Sequence, residues 1–140
     1  RMQFLGRRDW RVPLRILRRI DETVELTARN TGMTVSMAFN YGGRAELVDA
    51  VRAIVDAGIP SSKIDEKTIA RHLYDPSMPD PEVVIRTSGE IRTSNYLMWE
   101  SAYSEWVFTD TLWPDFRREH LVECLAEYQA RDRRFGGLNS

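Results

Sequence analysis

The chain has 140 residues, 42% of them hydrophobic and 29% charged, enough for one domain with a real core. Its 20 basic and 21 acidic residues leave a net charge of −1, so no overall field draws it to nucleic acid or to an anionic membrane, although the arginines are locally clustered. No apolar run approaches bilayer length, no signal-peptide pattern is present, and the one cysteine, Cys124, lies in a helix-like apolar row as a buried thiol, so a reducing cytoplasm is the expected compartment.

Met2 to Leu5 reads as a short strand, stopped by Gly6 and the basic tip Arg7-Arg8-Asp9. The sequence opens in the middle of that strand with no Met in first place, which suggests a natural chain that continues upstream. From Pro13, suited to a first helical turn, Leu14, Leu17, Ile20, Val24 and Ala28 keep helical spacing until Asn30-Thr31-Gly32 ends the run. Met33 to Phe39 then alternates: Met33, Val35, Met37 and Phe39 share one face, and Thr34, Ser36 and Ala38 share the other. Ordinary core packing is the default for that large apolar face, with a ligand surface as the alternative.

Asn40-Tyr41-Gly42-Gly43-Arg44 follows at once, and Leu47, Val48, Val51, Ile54 and Val55 mark a helix closed by Gly58 and Pro60. A strand, a Gly-Gly turn and a helix in that order put backbone N–H groups and Arg44 at a helix N-terminus, which suits an anion but is equally a tight turn. Ser61 to Tyr74 carries the cap candidates Ser62 and Asp65 with Ile64, Ile69 and Leu73, a short surface helix on which His72 is solvated or capping. The proline-rich loop from Asp75 to Pro81 is stiff and delivers the chain into a β-branched run, Val83-Val84-Ile85, that reads as a buried strand.

The loop after this strand concentrates the chemistry. Arg86 and Arg92 lie six residues apart, with the hydroxyls of Thr87, Ser88, Thr93 and Ser94 and the flexible backbone of Gly89 around them. Guanidinium forks match phosphate oxygens, and glycine lets backbone N–H groups approach them. The bland alternative is an exposed loop whose arginines pair with Glu90 and other acids. Tyr96 to Tyr103 looks like a short buried helix, and Glu105 stands before Trp106-Val107-Phe108, either paired with an arginine or available to a hard cation. Trp113-Pro114-Asp115-Phe116 makes a turn, and Leu121, Val122, Leu125 and Tyr128 mark a last helix. That helix ends in the basic tail Arg131 to Gly137, by default only a favourable helix C-terminus.

Strands separated by helices imply an α/β fold, a parallel sheet flanked by helices with right-handed crossovers. Ligands bind outside the carboxyl ends of such strands, so the Gly42-Gly43 turn and the loop from Arg86 to Ser94 are expected on one sheet edge. A Cys/His zinc set, a Walker loop, a nucleophile elbow, an Asp-rich magnesium motif and a repeated basic and aromatic platform for single strands are all missing from the sequence.

Ile85-Arg86-Thr87-Ser88-Gly89-Glu90, followed by Arg92 and Ser94-Asn95-Tyr96, resembles the hallmark of the cis-prenyltransferases, above all the bacterial undecaprenyl and actinobacterial polyprenyl diphosphate synthases. Asn30-Thr31-Gly32, Asn40 to Arg44, Trp99, Ala102 to Glu105, Phe108, Leu112 to Phe116 and Arg133 to Gly137 also resemble family blocks, in family order. The resemblance implies condensation of isopentenyl diphosphate with an allylic diphosphate, farnesyl or geranyl, giving a cis-polyprenyl carrier lipid for cell-wall synthesis. It assigns Arg86, Arg92 and Ser94 to the diphosphate of isopentenyl diphosphate and Glu105 to Mg2+. Arg134 and Gly136 would reach the partner subunit's site in a homodimer. Met33, Val35 and Met37 would line the product tunnel, with Met33 near its floor.

Two departures accompany the likeness. Ile91 stands where the family often has His. The family's Asp-Gly-Asn-x-x-Trp block, with its essential magnesium and catalytic Asp, is absent, so residues 1–140 are expected to be the C-terminal portion of a catalytic domain and inactive alone. A non-catalytic accessory subunit of a heteromeric enzyme is the alternative, and retention of Arg86, Arg92, Ser94 and Glu105 argues against it. Any membrane contact is expected to be peripheral, for product release.

Overall fold

The computed structural model describes residues 1–131 of the chain. Two compact units divide it, Arg1–Met78 and Pro79–Ser140. The first contains β1 (Met2–Leu5), α1 (Leu14–Thr27), β2 (Val35–Ala38), α2 (Gly43–Asp56) and α3 (Glu66–Ala70); the second contains β3 (Val83–Arg86), β4 (Glu105–Phe108) and α4 (Arg118–Gln129). Among the described residues each unit holds one two-stranded parallel sheet, so the α/β character and strand direction expected from the sequence are present.

In the first unit β1 and β2 run in register from Met2↔Val35 to Leu5↔Ala38. Parallel neighbours need a long crossover, and α1 supplies it. Pro13 caps this helix, as its fixed φ allows, and Thr27 Oγ1 accepts from Met2 N at 3.0 Å, tying the helix's last turn to the start of β1. Gly6, at φ +132°, turns the chain out of β1 where Phe39 O leaves no room for a Cβ.

Helix α2 was marked by Leu47, Val48, Val51, Ile54 and Val55, yet Gly43, Glu46, Ala50 and Ile54 are its buried positions. Val48, Val51 and Val55 are exposed. The period was right and the inward face was not the most apolar one. The helix expected over Ser61 to Tyr74 is a 3-10 turn, Ser61–Lys63, followed by the short α3, whose cap Asp65 accepts from Thr68 N at 2.7 Å. His72 Nδ1 lies 2.7 Å from Thr68 O and acts as a local cap.

In the second unit β3 and β4 pair from Val83↔Glu105 to Arg86↔Phe108. The connection between them corrects one expectation: Tyr96 to Tyr103 forms turns, not a helix. Ser94, Asn95 and Leu97 sit at φ 49°, 62° and 44°, a left-handed conformation from which a right-handed helix does not start. Leu97 and Glu100 are nevertheless buried there, and Ser101 N reaches Leu97 O at 2.9 Å as a single helical turn. Val107 of β4 and Cys124 of α4 complete the buried set of this unit among the described residues.

Candidate functional site

In the second unit the strand pair delivers its polar loop through a set of backbone bonds. Thr109 N donates to Arg86 O at 2.9 Å, Ser88 N to Thr111 O at 2.9 Å and Gly89 N to Thr109 O at 3.0 Å, so the start of the loop follows the exit of β4. This corrects one detail of the sequence reading: the Ser88 and Gly89 N–H groups are committed to carbonyls rather than presented to an anion. The need for glycine is conformational, since Gly89 has φ +65° and a Cβ there would stand 3.0 Å from Asp110 Oδ1. Ser88, Ser94, Asn95 and Leu97 also have positive φ, a concentration of strained non-glycine backbone around the arginines.

Arg86 and Ser94, both singled out from the sequence, are brought together: Arg86 Nη2 donates to Ser94 Oγ at 3.2 Å. Arg92, on the same loop, forms an ion pair with Glu90 and keeps most of its side chain exposed. The bland alternative of pairing with Glu90 is therefore realised for Arg92 in the ligand-free chain, while the exposure leaves the guanidinium accessible.

Glu105, at the first position of β4, is held by an arginine that the sequence reading passed over. Arg131 Nη1 donates to Glu105 Oε2 at 3.1 Å, and its Nη2 pairs with Glu127 one turn earlier in α4. Tyr128 on the same helix donates to Glu82 Oε2 at 2.7 Å. The missed signal was Arg131 itself, at the head of the basic run and four residues after Glu127.

Among the described residues no group of three or more His, Cys, Asp or Glu side chains converges as a metal site. Mg2+ is commonly held by one or two carboxylates together with substrate phosphates and water, so a single half-buried Glu105 fits as one donor of such a set. Arg134 and Gly136 lie outside the described residues.

In the first unit the apolar face of β2 does not pack as ordinary core. Met33, Val35 and Met37 are 80%, 39% and 47% exposed, and Phe39 is exposed as well. The first unit also holds a network that the sequence did not disclose. Arg7 donates to both oxygens of Asp49 at 2.7 and 2.8 Å, and Tyr74 Oη donates to Asp49 Oδ2 at 2.7 Å. Glu46, 2% exposed, accepts from Tyr41 Oη at 2.5 Å and from Tyr74 N at 2.9 Å. The Arg7 guanidinium holds the Asp49 carboxyl below the usual carboxylate range, and burial, reinforced by Asp49, pushes the Tyr74 phenol up to about 12. Asn40, at φ 50°, donates through Nδ2 to Arg7 O at 2.8 Å, so the network and the turn share the Arg7 segment.

Residues 1–136 match the family model described as "Putative undecaprenyl diphosphate synthase". The chain belongs to this family. The isoprenyl transferase of Bacillus subtilis (strain 168) is 47% identical over 131 residues, covering 91% of this chain and 50% of that protein. The isoprenyl transferase of Staphylococcus haemolyticus is 49% identical over 132 residues, covering 91% and 52%. Among solved structures, lavandulyl diphosphate synthase from Lavandula x intermedia, in complex with dimethylallyl diphosphate, superposes with TM-score 0.87 at 36% identity, over 97% of this chain and 61% of that one. A structure described as a probable undecaprenyl diphosphate synthase from Campylobacter jejuni gives TM-score 0.87 at 25% identity, over 98% and 63%. The chain spans about half the length of the curated undecaprenyl diphosphate synthase family relatives it matches.

Proposed function

We propose that this chain is the C-terminal portion of a cis-prenyltransferase catalytic domain, and that the whole enzyme condenses isopentenyl diphosphate with farnesyl or geranyl diphosphate into a cis-polyprenyl diphosphate. The observation that carries the reading is the contact between Arg86 and Ser94 on a strained loop that also bears Arg92, in a chain that belongs to this family. Bidentate guanidiniums beside a hydroxyl suit a diphosphate, and Arg92 exchanges Glu90 for that ligand.

Bond formation requires the allylic C–O electron pair to leave with the departing diphosphate while the alkene of isopentenyl diphosphate attacks the carbon it leaves; a proton is then lost from the new chain. Arg86, Arg92 and Ser94 hold the nucleophile by its diphosphate, converting an encounter into a positioned attack. Mg2+, when bound, stabilises negative charge on diphosphate oxygens, and Glu105 is the described residue that would hold it. The family's ionising Asp is proposed to lie upstream of these residues.

The exposed stripe of Met33, Val35 and Met37 is proposed as part of the product tunnel. Each buried CH2 of the growing chain gains about 0.8 kcal/mol, which favours elongation until the tunnel is full. Arg134 and Gly136 are proposed to reach the partner subunit's site in a homodimer. No helix among the described residues is long and apolar enough to cross a membrane. We place the enzyme in the cytoplasm, with peripheral membrane contact on product release, making a carrier-lipid precursor for the cell wall.

The test is incorporation of labelled isopentenyl diphosphate into organic-extractable product with Mg2+ and an allylic diphosphate, comparing the complete gene product with residues 1–140. Activity of the complete protein alone supports the transferase and places ionisation upstream. Incorporation that appears only on adding a partner subunit identifies an accessory subunit instead.

A further inference from the structure

Glu105 is the carboxylate proposed above for Mg2+, and it is already engaged. The Arg131 fork spans two acids, Glu105 on β4 at 3.1 Å and Glu127 on α4, with Arg131 and Glu105 side chains 34% and 27% exposed. Both carboxylates stabilise its charge, Glu127 the more strongly. Arg131 also closes the end of α4, where its N–H donates to Tyr128 O at 3.2 Å. The helix end is thereby fastened to the first residue of β4 through the side chain that a cation would need.

We propose that Arg131 is a built-in counter-ion for Glu105 that a divalent cation displaces, so that cation binding and release of the α4 C-terminal turn from β4 are one event. Displacement leaves Arg131 on Glu127 alone, an i,i+4 pair within the helix. The segment leading into the basic tail is held while Glu105 is empty and freed when it is filled. The two states differ by one exchange of partners, which is what a two-state coupling requires. Arg131 is here a positioning residue, and the inference rests on the reading that Glu105 takes the cation.

The experiment uses the complete enzyme and Mn2+ alone as probe, followed by electron paramagnetic resonance, with hydrogen exchange measured across Glu127 to Arg131. Arg131→Gln is expected to tighten Mn2+ binding about two- to fivefold, the range set by the loss of a competing, partly exposed ion pair. Arg131→Lys keeps the charge but lacks the fork, so it is expected to tighten binding in the same direction, whereas a general field effect would leave it at the wild-type value. In the wild type, Mn2+ raises exchange in the last turn of α4; in Arg131→Gln exchange is high from the start and Mn2+ adds nothing. Unchanged or weaker Mn2+ binding in both variants, with Glu105→Gln still abolishing it, overturns the counter-ion role and leaves the cation reading intact. Loss of neither Mn2+ binding nor the exchange response in Glu105→Gln overturns both.

Discussion

Arg86 Nη2 lies 3.2 Å from Ser94 Oγ, a contact across eight residues that closes the polar loop following β3. The hydroxyl orients the guanidinium and, in the proposed complex, shares the diphosphate with it. Ser94→Ala is expected to raise KM for isopentenyl diphosphate about ten- to a hundredfold, the worth of one hydrogen bond to a charged partner, with the KM of the allylic substrate unchanged. Steady-state kinetics in each substrate separately check this.

Asp49 joins β1's exit, α2 and the segment after α3 through Arg7 and Tyr74. Asp49→Asn is expected to destabilise the fold by about 1–2 kcal/mol, a charge-assisted pair discounted for its partial exposure. The folded pKa of Asp49 is lowered. Its stabilisation is therefore complete above the ordinary carboxylate value of about 3.9 and is lost as pH falls through the lower folded value. Urea melts of wild type and variant should converge in acid below that range.

Tyr74 has the opposite sign at the other end of the pH scale. Its folded pKa is raised to about 12, so its contribution is complete below the ordinary phenol value of about 10 and is lost between there and about 12. Tyr74→Phe removes this alkaline dependence and costs about 0.5–1.5 kcal/mol at neutral pH. Ultraviolet phenolate titration and urea melts at pH 8 and above read both effects.

Gly6 is held at φ +132°, with Phe39 O 2.0 Å from the position a Cβ would take. Gly6→Ala is expected to destabilise by about 3 kcal/mol or more, since strain and a backbone clash act together. Gly58→Ala has the strain without the clash and serves as the control, at about 1 kcal/mol.

Met37 projects from the exposed apolar stripe of β2 and is 47% exposed. Met37→Glu is expected to change urea stability by less than about 0.5 kcal/mol, as at an ordinary surface position. In the complete enzyme it should halt elongation early, because a carboxylate in the proposed apolar tunnel is costly to desolvate. Chromatography of the products reads the length.

The strands β1, β2 and β3 and the polar loop were legible because their signals are local: a β-branched run preceded by prolines, an alternating Met33 to Phe39, and two arginines with hydroxyls between them. Strand β4 was not, because Trp106-Val107-Phe108 is too short an apolar run to declare a strand by itself. The Arg7–Asp49–Tyr74 network was not, since its members are 25 and 42 residues apart from Asp49 and no spacing rule connects them. The inward face of α2 was hidden for a different reason. Glu46 and Gly43 occupy buried positions where periodicity reading looks for apolar side chains, and Glu46 is tolerated there because Tyr41 and Tyr74 satisfy its carboxylate. The turns at Tyr96 to Tyr103 escaped because left-handed Asn95 and Leu97 override an apolar pattern that would otherwise propagate a helix.

The loop from Arg86 to Ser94 is proposed to bind the diphosphate of the nucleophile. The most direct measurement is KM for isopentenyl diphosphate in the complete enzyme carrying Arg92→Ala, at saturating allylic diphosphate. Loss of a charge-assisted contact of about 1.5–3 kcal/mol predicts a rise of about ten- to a hundredfold, with the allylic KM within about twofold of wild type. An unchanged KM for isopentenyl diphosphate, or an equal rise for both substrates, would contradict the assignment.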